Sequence, residues 1–195
     1  YVDVRFTDTR GKLQHVTIVS DLVDEDFVEE GFMFDGSSIA GWKSIEASDM
    51  KLMLDTDTAY VDPFYAEKTI CVHCSVVEPD TGEAYERDPR GTAQKAEAYL
   101  KASGIGDVAY MGPEAEFFLF DNVKFSNSIN KVSYEVDASD ASWNTDTDYE
   151  MGNMGHRPGL KGGYFPVNPT DEAQDLRAEM LSTMKRLGMK ADKHH

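Results

Sequence analysis

Cysteine, positive charge and long apolar runs are scarce in this sequence, and each scarcity argues against a class of protein. The 19 Lys and Arg stand against 36 Asp and Glu, for a formal net charge of −17. A surface this acidic repels phosphate backbones and anionic lipid headgroups, which argues against binding to nucleic acid or membranes. No stretch approaches the roughly 18 consecutive apolar residues that span a bilayer, and the first residues lack the basic and apolar segments of a signal peptide. The sequence therefore predicts a soluble, cytoplasmic protein.

The 2 cysteines, Cys71 and Cys74, are three residues apart in a run that resembles a β-strand. Side chains at positions i and i+3 of a strand face opposite ways. The spacing therefore favours two buried thiols in a reducing compartment over a redox or metal-binding CxxC site.

Apolar residues make up 41% of the chain, enough for one sizeable core or two modest ones. A turn at Gly11 joins the first two β-prone runs, which predicts an opening hairpin, and Gly31 ends a short helix that begins near Asp24. Strands are predicted at 2–7, 13–19, 50–55 and 68–77. Strands around one small helix indicate a compact α+β unit.

A domain boundary is predicted at Asp88. This residue can cap a helix whose first position is Pro89, and small apolar residues then recur at helical spacing until Gly104. We therefore assign residues 1–88 to one domain and residues 89–195 to a second.

The rest of the second domain is predicted to run strand, loop, helix, strand. The first strand covers 109–120 and precedes a polar loop at 122–169, of a length that is usually functional or disordered. Thr170 is expected to cap the last helix, whose apolar residues share one face until Gly188. Residues 189–195 resemble a final strand.

The strongest local candidate for chemistry is the pair Glu114 and Glu116, in GPEAEFFLFD. On a strand, residues two apart point to the same face, and the four apolar residues that follow would anchor the strand in a core. Neighbouring carboxylates repel each other unless a cation lies between them, and Mg²⁺ or Mn²⁺ prefers oxygen ligands. The pair is also compatible with a solvated acidic face.

Asp35 lies between an apolar run and a Gly-Ser-Ser turn, in FMFDGSSIAGWK. The pattern fits a mobile binding loop with one acid at its base. It also fits an Asx-turn, in which the carboxylate bonds the nearby backbone and has no further role.

Two further segments carry basic or metal-ligating side chains. The glycines of GHRPGLKGGYFP would let the backbone approach an anionic ligand beside His156, Arg157 and Lys161, although the segment is not a P-loop and also fits a structural turn. The closing pair His194 and His195 fits a metal ligand pair, a purification-tag remnant or ordinary strand residues.

Along essentially its whole length, the sequence resembles bacterial type I glutamine synthetase. The motifs that carry the resemblance occur in the family's order: MFDGSSIAGWK, SDMKLMLD, YVDPF, ERDPR, GPEAEFFLFD, SWNTDTDYE, GHRPGLKGGYFP and KHH. The resemblance implies an α+β fold, with a β-grasp-like N-terminal domain followed by the beginning of a catalytic domain built on a curved antiparallel sheet. It also implies homo-oligomers of two stacked hexameric rings, with active sites between subunits.

The resemblance further implies an activity, the ATP-dependent joining of ammonia to glutamate through γ-glutamyl phosphate. By position, Glu114 and Glu116 match the family's paired glutamates for Mg²⁺ or Mn²⁺. Asp35, Ser38 and Tyr164 match residues of its ammonium pocket, where Asp35 is expected to take a proton from ammonium.

Two more positions are implied near the co-substrate ATP. Gly112 lies where the family's backbone approaches the nucleotide, and Asp192 stands where family members often have a longer Glu. Family members are more than twice as long as this chain. The 195-residue chain alone is therefore expected to be an incomplete and inactive part of the enzyme.

Three rival functions stay open at this stage. An acid-x-acid strand is also found in two-metal nucleases, although the charge of −17 argues against one here. A structural or regulatory fragment that oligomerises without turnover is the second rival. A γ-glutamyl-polyamine ligase of the same superfamily is the third, and its amine pocket would distinguish it.

Overall fold

The computed structural model describes residues 1–144 and 157–195, which form two compact units, Tyr1–Met111 and Gly112–His195. Most of the SWNTDTDYE motif, and His156 with the glycine before it, lie outside the described residues. Within the described ranges, no helix has the length and apolar character needed to cross a membrane. The domain boundary at residue 88 stays a prediction. The first compact unit ends at Met111, but a compact unit and a domain need not end at the same residue.

The first unit is built on a five-stranded sheet. Its strands are β1 (Val2–Thr7), β2 (Leu13–Ile18), β3 (Phe32–Asp35), β4 (Asp49–Val61) and β5 (Ile70–Val77), and its helices are α1 (Glu25–Glu30) and α2 (Pro89–Ser103). The strand order is β2-β1-β5-β4-β3, with β1 and β5 parallel and the other neighbours antiparallel. The opening hairpin and both later strands are confirmed, whereas β3 was not predicted.

One face of this sheet carries the core of the first unit. Alternate residues of its three central strands are almost fully buried there: Val4, Phe6, Met50, Leu52, Val72, Cys74 and Val76. The Trp42 ring extends this core, with its centroid 5.5 Å from that of Phe6 and 5.1 Å from that of Tyr85. Trp42 therefore fixes the chain just after the Gly-Ser-Ser turn.

The opposite face of the sheet carries a polar network centred on Asp3, which has no exposed surface. Its carboxylate accepts hydrogen bonds from Arg5 Nε at 2.6 Å and Thr17 Oγ1 at 2.7 Å, and lies 2.6 Å from His15 Nδ1. Burial opposes the ionisation of Asp3, but the hydrogen bonds from Thr17, His15 and Arg5 outweigh it and hold its pKa below the ordinary value.

This network predicts a pH-dependent contribution to stability. A carboxyl whose pKa is lowered by folding stabilises the protein above its unfolded pKa, and the contribution is lost as the pH falls below about 4. We expect Asp3→Asn to lower the melting temperature at pH 7 and the deficit to shrink at pH 3.5. The control is Asp57→Asn, an exposed position. A deficit of equal size at both pH values would contradict the prediction.

Both cysteine thiols are buried and free, as the sequence predicts. Cys71 lies on the polar face of the sheet and Cys74 on the core face. Burial raises the pKa of Cys71 to about 11 and that of Cys74 to about 12. Burial therefore disfavours the thiolate, which is the reactive species, at both positions.

Asp88 joins helix α2 to the sheet. It is 1% exposed, and its two carboxylate oxygens accept the backbone amides of Arg90 and Val76, each at 3.0 Å. The first bond is the predicted helix cap, with Pro89 at the first helical position. The second fixes the start of α2 against strand β5.

Replacing Asp88 with Ala should therefore destabilise the first unit strongly. The change removes a helix cap, worth about 1 kcal/mol, and leaves the Val76 amide buried without its acceptor, at about 1–3 kcal/mol. We expect the free energy of unfolding to fall by about 2–4 kcal/mol in urea, followed by tryptophan fluorescence. Asp80→Ala removes an exposed carboxylate nearby and is the matched control. A loss no larger than the control's would refute the double role of Asp88.

The second unit contains a hairpin, β6 (Asn122–Ser128) with β7 (Lys131–Asp137), and the helix α3 (Gln174–Arg186). The hairpin lies inside the stretch predicted as a loop, so that prediction was wrong there. Polar residues alternate with apolar ones on both strands, and Phe125 and Tyr134 are each 82% exposed. Such alternation is typical of a strand, and the loop prediction rested instead on the many Asn, Asp, Ser and Gly residues of 122–169.

Residues 109–120 form no strand in the described structure, contrary to the prediction. A strand is defined by a hydrogen-bonded neighbour, and none of the described strands pairs with these residues. The rings of Phe118 and Phe120 nevertheless stack with centroids 6.0 Å apart, as side chains two residues apart do on an extended chain.

Helix α3 is confirmed, but it begins at Gln174 and not after Thr170. Ala173 is its N-cap and provides no side-chain bond. The Asp171 carboxylate accepts the Ala173 amide at 3.1 Å, so the chain turns here before the helix starts. Residues 189–195 form no strand, again because no described strand pairs with them.

Candidate active site

Asp35 is the last residue of β3 and its carboxylate is held by the turn that follows. Its Oδ1 accepts the Ser37 amide at 2.8 Å and the Ser37 hydroxyl at 2.6 Å. These bonds from the side chain and backbone of Ser37 hold the pKa of Asp35 below its ordinary value. The predicted Asx-turn is thus present, and it fixes the direction of an exposed carboxylate.

Gly36 makes this turn possible. Its amide donates to the Ser48 carbonyl at 2.7 Å, and a Cβ added to it would lie 2.5 Å from Met50 Sδ, inside the core. The backbone that follows Asp35 out of the sheet therefore passes close to the buried side chain of Met50. Ser38, two residues further on, is exposed. With Trp42 buried, the loop is anchored at both ends.

Glu114 and Glu116 lie on the extended segment at the start of the second unit, and both side chains are exposed. Neither carboxylate makes a hydrogen bond or an ion pair with another described residue. Two free carboxylates are oxygen ligands of the kind Mg²⁺ and Mn²⁺ take, so they fit part of a coordination shell. In the described part of the chain, no three His, Cys, Asp or Glu side chains come together as a metal site.

Tyr164 belongs to an aromatic cluster with Phe165 and His195. The centroids of Tyr164 and Phe165 are 4.3 Å apart, and the His195 ring meets both edge-on, at 5.4 Å and 4.5 Å. No local pattern predicts these contacts, because His195 lies about thirty residues further along the chain. Phe165 has a backbone φ of 54°, which is unusual for a bulky residue and presents the two rings side by side.

Gly112 and Asp192, the two positions implied near ATP, are both exposed. A Cβ added to Gly112 would meet no atom within 4 Å, so the described residues leave room beside its backbone. Asp192 lies 3.8 Å from Lys193 Nζ in a highly exposed pair, which contributes little to stability. Both assignments stay predictions.

Comparison with known proteins identifies two matching domain families. Residues 1–79 match the beta-Grasp domain of glutamine synthetase, and residues 86–195 match the glutamine synthetase catalytic domain. The glutamine synthetases of Cereibacter sphaeroides and Rhodobacter capsulatus are 77% and 75% identical to this chain over all 195 residues. The chain spans 42% and 44% of the lengths of these two relatives.

The fold agrees with these matches. A glutamine synthetase structure from Plasmodium falciparum covers the whole chain with a TM-score of 0.83, at 21% sequence identity and over 38% of its own length. The predicted α+β class, with a β-grasp domain followed by the start of a catalytic domain, is confirmed. The chain belongs to the glutamine synthetase family.

Proposed function

We propose that the protein to which this chain belongs is a glutamine synthetase, which joins ammonia to the side-chain carboxylate of glutamate at the expense of ATP. The observation that carries the proposal is the 77% identity, over the full 195 residues, to a protein of that name. We further propose that the 195-residue chain alone is inactive, because it spans less than half of such relatives.

The reaction has two steps. An oxygen of the glutamate γ-carboxylate attacks the γ-phosphorus of ATP, and the bond to the ADP oxygen breaks, which gives γ-glutamyl phosphate. Ammonia then attacks the acyl carbon, and phosphate leaves with the original carboxylate oxygen. The product is the amide of glutamine.

Glu114 and Glu116 are proposed to hold Mg²⁺ or Mn²⁺. Their exposed carboxylates have no partner among the described residues, and they follow Gly112, whose open backbone is proposed to lie beside ATP with Asp192. When bound, a divalent cation spreads the negative charge that builds up on the transferred phosphoryl group.

Asp35, Ser38 and Tyr164 are proposed to form the ammonium pocket. An ionised Asp35 attracts NH₄⁺ and accepts its proton, which releases the nucleophile NH₃. The turn bonds from Ser37 support the binding of NH₄⁺, since they fix the direction of the charged carboxylate. The Ser38 hydroxyl and the Tyr164 ring add an acceptor and an aromatic face, both of which suit a small cation.

The proposed enzyme is a cytoplasmic homo-oligomer of two stacked hexameric rings. In this arrangement Asp35 and Ser38 serve the active site of a neighbouring subunit, which contributes its own Glu114 and Glu116. Nucleic acid and membranes have no part in the proposal.

Product identification tests the function. The full-length enzyme, with glutamate, ATP, Mg²⁺ and equal concentrations of ammonia and a polyamine such as putrescine, should form glutamine as its dominant product by mass spectrometry. Formation of γ-glutamyl-putrescine in place of glutamine would establish the polyamine ligase instead. Hydrolysis of single-stranded DNA with Mn²⁺, in the absence of either product, would favour the nuclease.

A further inference from the structure

An ion pair lies at the start of helix α3, where Arg177 and Asp171 meet through two parallel hydrogen bonds. Arg177 Nη1 donates to Asp171 Oδ1 at 2.9 Å and Nη2 donates to Oδ2 at 2.5 Å. The side chains are only 16% and 10% exposed, so the pair is well shielded from water. Two parallel hydrogen bonds to one carboxylate fix the plane of the guanidinium as well as its position.

The third donor of the guanidinium is directed at a histidine seventeen residues along the chain. Arg177 Nε lies 3.2 Å from His194 Nδ1 and donates to it. Because that ring nitrogen accepts the bond, the proton of a neutral His194 resides on Nε2.

The residue after His194 reaches the proposed ammonium pocket. His195 packs edge-on against Tyr164, with centroids 5.4 Å apart and planes at 79°, and against Phe165 at 80°. Residues 189–195 belong to no strand among those described, and the contacts of His194 and His195 tie the segment to Arg177 and Tyr164. Side-chain contacts thus run from Asp171 through Arg177 to His194, and the next residue along the backbone, His195, contacts Tyr164.

We propose that Arg177, held in its plane by Asp171, is a positioning residue for the ammonium site. By fixing His194 it holds His195 against the ring of Tyr164 and so sets the direction of the tyrosine. The inference rests on the proposed function, because it assigns Tyr164 to the pocket that receives ammonium.

The test uses the full-length enzyme with Arg177→Lys. Lysine keeps the charge beside Asp171 but has one compact ammonium group, which cannot bond both carboxylate oxygens and His194 in one plane. We expect the KM for ammonium to rise roughly tenfold while the KM for ATP changes less than about twofold. The reason is that the variant displaces Tyr164, which is assigned to the ammonium pocket and not to the ATP site. Arg186→Lys is the matched control, because Arg186 lies on the same helix and is exposed.

Exchanging the two charged residues distinguishes an effect on the position of His194 from an effect on the stability of the protein. The double variant Asp171→Arg with Arg177→Asp restores an ion pair but removes the donor to His194. We expect its melting temperature to lie near that of the wild type and its KM for ammonium to stay raised. Recovery of that KM in the swap, or an unchanged KM in Arg177→Lys alone, would overturn the inference.

The single Arg177→Lys variant is decisive even if the swap does not fold. A wild-type enzyme that makes no glutamine would overturn the proposed function and the inference with it. A wild type that makes glutamine, with the variant at wild-type KM for ammonium, would overturn the inference alone.

Discussion

Glu114→Ala and Glu116→Ala, each introduced into the full-length enzyme, are expected to abolish most of the ligase activity. Each change removes one oxygen ligand from the proposed metal pair, and the charge on the transferred phosphoryl group is then poorly neutralised. We expect kcat to fall roughly 10²–10³-fold, the range seen when one electrostatic contact to a transition state is lost. The affinity for Mn²⁺, measured by calorimetry, should fall with it.

The fold should survive both changes, because the two carboxylates are exposed and removing one relieves the repulsion between them. Glu135→Ala is the matched control. It removes an exposed carboxylate of the same unit, which pairs with the exposed Lys124 at 3.3 Å. The control should bind Mn²⁺ as the wild type does. Wild-type Mn²⁺ affinity in both test variants would refute the metal assignment.

Asp35→Asn is expected to produce the second large effect, a loss of ammonium use with ATP binding preserved. The amide oxygen of Asn can still accept the two bonds from Ser37, so the turn should persist. The amide has no charge to attract NH₄⁺ and is too weak a base to take its proton. We expect kcat/KM for ammonium to fall roughly 10²–10⁴-fold, the usual contribution of a general base.

The control for this change is Asp24→Asn. Asp24 caps helix α1 by accepting the Phe27 amide at 2.9 Å, and Asn caps helices as well as Asp does. The control should therefore keep both its stability and its use of ammonium. An Asp35→Asn enzyme with wild-type kcat/KM for ammonium would leave Asp35 as a turn-forming residue alone.

Mixed rings test whether the site is shared between subunits. Subunits with Asp35→Asn and subunits with Glu114→Ala are each expected to be inactive alone. In a mixed ring, some interfaces join a wild-type Asp35 to a wild-type Glu114, so activity should reappear. Mixed rings verified by mass spectrometry that remain as inactive as either parent would place both residues in one subunit's site.

Much of the secondary structure of the first unit could be predicted because the residues that begin and end its helices lie within or beside those helices in the sequence. Asp24 and Gly31 mark both ends of α1, and Asp88 with Pro89 marks the start of α2. Strand β3 was missed because four residues that run directly into a turn are too few to show a period. Its pairing with β4 depends on residues further along the chain.

The second unit was predicted less well because its structure depends on partners. The strand predicted at 109–120 has no described strand to pair with, and the polar residues around the hairpin of β6 and β7 indicated a loop. The site shows the same division. Glu114, Glu116 and Asp35 were singled out as candidates from local chemistry, whereas the bond from Arg177 to His194 joins residues seventeen apart and could not be predicted.

The central claim is that the enzyme activates the glutamate γ-carboxylate by phosphorylation before ammonia replaces phosphate, and the fate of one oxygen tests it most directly. The full-length enzyme is supplied with glutamate labelled with ¹⁸O in the γ-carboxylate, together with ATP, ammonia and Mg²⁺, and the phosphate is examined by mass spectrometry. The mechanism predicts one ¹⁸O atom in the phosphate for each glutamine formed, because the acyl carbon–oxygen bond is the one that breaks. Phosphate without ¹⁸O, released while ATP is consumed, would show that the carboxylate never attacks the γ-phosphorus and would contradict the proposed function.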